Sequence, residues 1–160
     1  MSPGISLHDI GLGYAGKPLF SQLNAHFKGA CWHSILGRSG VGKSSLLQSI
    51  AGLLSGTALS GHINASDGQP LQGRVAWMGQ RDALLPWLTV QQNVLLGARL
   101  RKQVSVPDQV RAKAMLERVG LGAMAQSMPE HLSGGQRQRV ALARTLMEDK
   151  PVVLMDEPFS

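Results

Sequence analysis

The sequence of 160 residues has a single cysteine, few aromatic residues and no long apolar run. One cysteine, Cys31, cannot form an intrachain disulfide, so a reducing compartment is expected. No apolar stretch approaches the roughly 18 residues that a membrane helix needs. The first residues, MSPGISLHDIG, lack the basic start and apolar stretch of a signal peptide. These absences exclude a disulfide scaffold and predict a cytoplasmic chain.

Basic residues outnumber acidic ones but do not cluster. Sixteen Lys and Arg against ten Asp and Glu give a net charge of +6, while only 4% of the residues are aromatic. Nucleic-acid-binding proteins more often combine a basic stripe with interleaved aromatic side chains. The composition therefore disfavours nucleic acid as a partner, and the 43% of apolar residues are enough for one globular domain.

Hydrophobic periodicity predicts strands near the N-terminus and helices after it. Strands are predicted at 5–12, 19–27, 30–36, 74–78 and 151–155. Helices are predicted from residue 43 and at 89–102, 107–120 and 133–148, with a loop-rich stretch at 52–73. This order predicts an α/β fold whose layers surround a largely parallel sheet.

Two octapeptides, GLGYAGKP at 11–18 and GRSGVGKS at 37–44, share the spacing of a phosphate-binding loop. Pro18 has neither a hydroxyl for a metal nor an N–H for a phosphate, and a strand follows it, so the first octapeptide is predicted to be a hairpin turn. The second follows the predicted strand at 30–36 and opens a helix, whose N-terminal N–H groups attract an anion. The second octapeptide is therefore the predicted phosphate site.

Each position of this loop has an expected part in phosphate binding. Gly40 and Gly42 let the backbone approach the anion, Lys43 reaches the outer phosphates, and the Ser44 hydroxyl can bind Mg²⁺. The predicted binding residues are Gly37, Arg38, Ser39, Gly40, Val41, Gly42, Lys43, Ser44 and Ser45.

The segment VVLMDE delivers two acids at the end of an apolar strand. Ligands of open parallel sheets gather at the carboxyl ends of the strands. Asp156 is therefore a candidate to hold Mg²⁺ through water, and Glu157 is a candidate general base for an attacking water.

A third motif, LSGGQRQRVALARTL at 132–146, places a hydroxyl and two glycines at a helix start, where backbone N–H groups face an anion. It resembles the signature motif of ATP-binding cassette (ABC) ATPases. The motif residues are Leu132, Ser133, Gly134, Gly135 and Gln136. The resemblance implies that these residues cap the ATP of a second subunit in a head-to-tail dimer. Arg137, Arg139 and Arg144 are expected to fix the signature helix through surface pairs.

The resemblance implies a P-loop NTPase core with an N-terminal antiparallel β subdomain and a helical signature-motif subdomain. It divides the chain into residues 1–80 with the phosphate loop, 81–147 as the helical subdomain, and 148–160 with the Walker B strand. Tyr14 resembles the aromatic residue that stacks on adenine. Gln80 resembles the glutamine that joins Mg²⁺ and the attacking water to the transporter interface.

The stretch LLPWLTVQQNVLLG resembles importers of the nitrate, sulfonate and taurine type, a group that includes ATPases for thiamine-precursor uptake. Leu84, Leu85, Pro86 and Trp87 are expected to form an apolar surface for a membrane permease, although the same residues also suit a buried loop. The implied protein is an ATPase of the inner membrane face, with permease subunits and, indirectly, a solute-binding protein as partners.

The family's domain is expected to continue past Ser160 with a dimer-contact loop and a switch histidine. A second interpretation is therefore a non-catalytic nucleotide-binding fragment or gene remnant, which would bind ATP without turnover. A third is an ABC ATPase that acts on nucleic acid, which LLPW and the scarce aromatic residues disfavour. A simple P-loop kinase has no use for LSGGQ.

Overall fold

A computed structural model describes residues 2–14, 17–54, 58–101 and 104–158. The chain forms two compact units, Met1–Val75 and Ala76–Ser160. In the described part of the chain, no helix combines the length and the apolar character needed to cross a membrane.

The first unit contains a three-stranded antiparallel sheet in the order β2-β1-β3. Its strands are β1 (Ile5–Tyr14), β2 (Lys17–Phe27) and β3 (Ala58–Ala65). The pairing of β1 with β2 confirms that GLGYAGKP lies at a hairpin, with Tyr14 opposite Lys17.

A bulge in the middle of β1 keeps one face of the strand in the core. Ile5 and Leu7 are buried, and so are Ile10 and Leu12, although simple alternation would turn the second pair outwards. The register shifts between Leu7 and Ile10, where Asp9 adopts a φ of 50°. One extra residue in β1 shifts the alternation by one position, as a β-bulge does, so that Ile10 and Leu12 face the core again.

Two predictions for this unit were wrong. Residues 58–65 form β3 rather than a loop, and the alternation of Leu59, Ile63 and Ala65 is the signal that was missed. Residues 30–36 form no strand, because no described residue pairs with their backbone. Trp32 and Leu36 are accordingly 81% and 90% exposed. Apolar composition favours a strand but does not supply the partner it needs.

The helix predicted from residue 43 is α1 (Lys43–Ala51), which buries Leu46 and Ile50. It ends at Gly52, whose φ of 69° allows its N–H to bond back to Gln48 and Ser49.

The second unit combines a two-stranded sheet with a helical cluster. The predicted strands are confirmed as β4 (Val75–Met78) and β5 (Val152–Met155), which lie side by side. Val152 is buried and the rest of β5 is half-buried, so the strand is less enclosed than its composition predicts. The helices are α2 (Val90–Val94), α3 (Leu96–Leu100), α4 (Val106–Arg118) and α5 (Gly134–Met147), with 3-10 turns at Gly122–Met124 and Pro129–His131.

The helices α4 and α5 confirm the sequence prediction, whereas the predicted helix at 89–102 is two short helices. The chain turns at Leu95, which is buried and has a ψ of 4°. Beyond the turn, the Glu148 carboxylate lies where a side chain on Gly97 would stand. The core of this unit comprises Met78, Leu84, Val90, Val94, Leu95, Ala112, Leu116, Leu121, Leu132, Val140, Ala141, Ala143 and Met147.

Candidate functional site

The loop at 37–44 is shaped by its glycines and by its lysine. Gly40 and Gly42 have φ values of 78° and 101°, which side-chain-bearing residues rarely adopt. The Lys43 ammonium donates to the carbonyl oxygens of Gly37 and Arg38, at 3.0 Å each. These bonds use two of its three donors and hold the positive charge over the loop.

The helix that follows this loop differs from the other long helices at its N-terminus. Gly42 is the N-cap of α1, no side chain caps it, and the first turn contains no acidic residue. The helices α4 and α5 both begin with a complete capping box. The N-cap and the first turn of α1 therefore contribute no capping side chain and no acidic side chain at the positive end of the helix dipole, an arrangement that suits an anion.

The other predicted residues of this unit are located only in part. Ser44 and Ser45 lie half-buried in the first turn of α1. The loop residues Arg38, Ser39 and Val41 are exposed. Tyr14 ends β1, but its side chain lies outside the described part of the structure, so adenine stacking stays a prediction.

In the second unit, Gln80 and Glu157 meet although 77 residues separate them in the sequence. The Gln80 Nε2 donates to the Glu157 Oε2 at 2.9 Å, and both residues are exposed. The neighbouring Asp156 is buried, and its backbone N–H donates to the Met78 carbonyl at 2.9 Å. The pairing of β4 with β5 thus places the predicted base beside the predicted glutamine.

The signature motif forms the start of α5. The buried Leu132 anchors it in the core, while Ser133, Gly134 and Gly135 are exposed. The Ser133 Oγ accepts from the Gln136 N–H at 3.3 Å, and the Gln136 Oε1 accepts from the Ser133 N–H at 2.8 Å. This capping box is a local role for the two residues that the sequence interpretation did not include. A Cβ on Gly135 would meet nothing within 4 Å, so the first turn stays open to a ligand.

An open groove lies between this helix start and the segment that follows Gln80. It is lined by Gln80, Arg81, Asp82, Ala83, Gly134, Gly135, Arg137 and Gln138. Asp82 was missed by the sequence interpretation, because nothing in its neighbourhood marks it as a partner of the distant Arg137, to which its carboxylate is bonded at 3.0 Å.

The four residues of LLPW do not share one environment. Leu84 is buried in the core and Leu85 is half-buried, whereas Pro86 and Trp87 are exposed. The prediction of an apolar surface is therefore wrong for Leu84, which packs into the core as the alternative of a buried loop implied. Pro86 and Trp87 are the part of the stretch that faces solvent.

Comparison with known proteins gives consistent results. The ABC transporter family profile matches residues 20–160. An uncharacterized ABC transporter ATP-binding protein of Haemophilus influenzae is 42% identical over 98% of this chain and 63% of its own length. The thiamine import ATP-binding protein ThiQ of Haemophilus influenzae is 42% identical over 79% of the chain and 60% of its own length.

The aliphatic sulfonates import ATP-binding protein SsuB 2 of Agrobacterium fabrum is also 42% identical, over 98% of the chain and 59% of its own length. The chain thus spans roughly three fifths of each of these three relatives.

Proposed function

The chain belongs to the ABC transporter family, and we propose that it is part of the ATP-binding subunit of a solute importer. The observation that carries the proposal is the loop at 37–44, where left-handed glycines, an inward-turned lysine and a helix start without a side-chain cap come together. The names of the relatives support import in particular, since ThiQ and SsuB are import ATP-binding proteins.

The proposal assigns phosphate binding to the first unit. The N–H groups of the loop and of the first turn of α1 would bind the phosphates, with Lys43 supplying positive charge against the charge that develops on the transferred group. Donors fixed in advance in this way are usually the largest contribution to such a reaction. Tyr14 would stack on the adenine.

The second unit would supply the water chemistry. Glu157 would accept a proton from the attacking water, and the Gln80 amide, bonded to its carboxylate, would orient it. The Ser133 hydroxyl and the open start of α5, with Gly134 and Gly135, would cap the ATP bound by a partner subunit. Leu132 and Gln136 would hold that helix start in shape.

The donor set fits Mg²⁺, because a hydroxyl, an amide oxygen and a carboxylate are the oxygen ligands that this hard cation prefers. Ser44 in the first unit and Gln80 and Asp156 in the second would each offer an oxygen atom to this ion, whose charge would offset the negative charge of the phosphates.

Import would require further subunits. The exposed Pro86 and Trp87 would contribute to a permease contact on the inner membrane face, and a solute-binding protein would act through that permease. The relatives named for thiamine and for aliphatic sulfonates are both 42% identical to the part of this chain that they match, so we propose solute import without naming the solute.

The test is a fluorescent-ATP titration with Mg²⁺, using the wild-type chain and Lys43→Ala. We expect saturable binding that weakens at least tenfold in Lys43→Ala, because the loop loses the Lys43 ammonium group that is bonded to its carbonyl oxygens. Lys113→Ala, on the exposed side of α4, removes the same charge elsewhere and should bind like the wild type. A folded wild-type chain that does not bind, or equal binding by Lys43→Ala, would contradict the proposal.

Phosphate release measured on the same samples separates the two interpretations of the chain. General bases typically contribute about 10²–10⁴ in rate. Release that falls by at least about 10² in Glu157→Gln, with binding retained, supports an ATPase. Binding without any release from the wild type supports the non-catalytic nucleotide-binding fragment.

A further inference from the structure

Two arginines of α5 hold the segment that follows Gln80. The Arg137 Nε donates to the Asp82 Oδ2 at 3.0 Å, and its Nη1 donates to the Leu132 carbonyl at 2.8 Å. The Arg144 Nη1 donates to the Ala83 carbonyl at 2.8 Å, and its Nη2 to the Asp82 carbonyl at 2.6 Å. Three charge-assisted bonds thus connect α5 with the adjacent loop residues Asp82 and Ala83, and a fourth holds the Arg137 guanidinium against the Leu132 carbonyl.

The spacing of the two arginines explains why they act on the same segment. Arg137 and Arg144 are seven residues apart, so they lie on one face of the helix about two turns from each other. Arg139 points elsewhere and donates to the Val119 carbonyl at 2.9 Å. The contacts to Asp82 and Ala83 are therefore a property of one helix face.

The segment held by this face has an unfavourable backbone conformation. Ala83 has a φ of 45°, a left-handed value that costs an alanine roughly 1–2 kcal/mol. The Asp82 carboxylate bridges across the turn, since its Oδ1 accepts from the Leu84 N–H at 3.1 Å. Partial burial lowers the pKa of Arg144, so placing this guanidinium here has its own cost. The three bonds from α5 stabilise the turn in this conformation together with its own bond between Asp82 and Leu84.

Gln80 lies between two fixed points of the chain, the end of β4, which pairs with β5, and the turn at Asp82 and Ala83. Gln80 is two residues before Asp82, and its amide is bonded to the exposed carboxylate of Glu157. A single exposed side-chain hydrogen bond contributes only about 1 kcal/mol and must offset the ordering of two long side chains. The bond between Gln80 and Glu157 persists when the backbone around each of these two residues is fixed. At the other end, Glu157 has a φ of 48° and follows Asp156, whose backbone N–H donates to the Met78 carbonyl at 2.9 Å.

We propose that Arg137 and Arg144, acting on Asp82 and Ala83, are positioning residues that hold the Gln80 amide against the Glu157 carboxylate. Arg137 is the residue directly after LSGGQ. A movement of the start of α5 would therefore move Asp82, which is bonded to Arg137, and with it Gln80. The signature helix and the proposed general base of the same chain are thereby linked. Only the role of Glu157 as a base rests on the proposed function; the link is a property of the fold.

The test follows the side-chain amide signal of Gln80 by NMR in the ¹⁵N-glutamine-labelled chain without nucleotide. The signal is identified by its loss in Gln80→Asn, and Glu157→Ala gives its position when the acceptor is missing. We expect Arg137→Ala and Arg144→Ala to move the signal at least halfway towards that position. Arg137→Lys, which keeps one charged donor for Asp82, should restore much of the wild-type position.

Arg139→Ala is the matched control, because it removes the same side chain from the same helix without touching the turn. It should leave the Gln80 signal unchanged. Hydrogen exchange of the amides at 79–84 should rise at least fivefold in Arg137→Ala and stay at the wild-type rate in Arg139→Ala. An unmoved signal in both Arg137→Ala and Arg144→Ala, or an equal movement in Arg139→Ala, would overturn the proposal.

This experiment separates the inference from the proposed function. A chain that fails to bind Mg·ATP but shows the expected shifts contradicts the proposed function and supports the link. A chain that binds Mg·ATP through Lys43 but shows no shift in the two arginine variants contradicts the link alone. Unchanged signals from the core residues Leu116 and Val140, recorded on a uniformly ¹⁵N-labelled sample of each variant, would show that the variant is folded.

Discussion

The side chain of Asn93 is fully buried and bonds to both backbone groups of Leu85. Its Oδ1 accepts from the Leu85 N–H at 2.8 Å, and its Nδ2 donates to the Leu85 carbonyl at 3.1 Å. The same Nδ2 lies 3.0 Å from the Leu88 carbonyl and 3.1 Å from that of Thr89. One buried amide therefore closes the loop from which Trp87 projects, 69% exposed.

Replacing Asn93 by alanine should lower the free energy of unfolding by about 2–4 kcal/mol, because it leaves buried backbone groups without partners and opens a small cavity. Urea denaturation measures this difference. Gln126→Ala, which removes an exposed amide bonded to Gln91, should cost less than about 0.5 kcal/mol. Equal values for the two variants would show that Asn93 does not support the loop.

The two left-handed glycines of the phosphate loop should respond differently to alanine. A Cβ on Gly42 would lie 2.8 Å from the Leu19 Cδ2, whereas a Cβ on Gly40 would meet nothing within 4 Å. Gly40→Ala should therefore cost only the backbone penalty of roughly 1–2 kcal/mol. Gly42→Ala adds a clash and should reduce stability further and abolish Mg·ATP binding. Urea denaturation and the fluorescent-ATP titration give the comparison, and similar losses in both variants would argue against a close approach at Gly42.

The start of α4 should make stability depend on acid pH. The Ser105 hydroxyl and N–H both donate to the Asp108 carboxylate and lower the pKa of that group below its usual 3.8. A carboxyl whose pKa is lower in the folded state stabilises the fold above the unfolded-state pKa, and this contribution is lost as the pH falls through the folded-state value.

The stability gap between wild type and Asp108→Asn should therefore be larger at pH 6 than below pH 3. Urea midpoints at the two pH values measure the gap. In a Ser105→Ala background the carboxylate loses the hydroxyl that contributes most to the pKa shift, so the pH dependence of the gap should shrink. A gap that is constant with pH would contradict the assignment.

Several elements could be predicted because their signals are local. The helices α1, α4 and α5 follow from apolar spacing, and α4 and α5 also carry capping residues in the sequence. The phosphate loop and LSGGQ are contiguous, so their chemistry can be recognised from residue types alone. The family profile confirms that they were assigned to the right fold.

Elements that depend on a partner could not be predicted in the same way. Residues 30–36 and β3 have comparable β-forming content, but only β3 pairs with β1. Likewise, Gly97 is the one local signal near the break at Leu95, whereas the packing of Leu95 in the core and the position of Glu148 beside Gly97 depend on tertiary structure.

The sequence by itself determined the chemical groups of this protein and the helix starts that present them, since both depend on neighbours a few residues away. Tertiary structure alone decided which groups meet. Gln80 reaches Glu157 because β4 lies beside β5, and Asp82 reaches Arg137 across 55 residues because α5 packs against the loop. Such contacts join residues far apart in the chain, and only the packing of strands and helices brings them within hydrogen-bond distance.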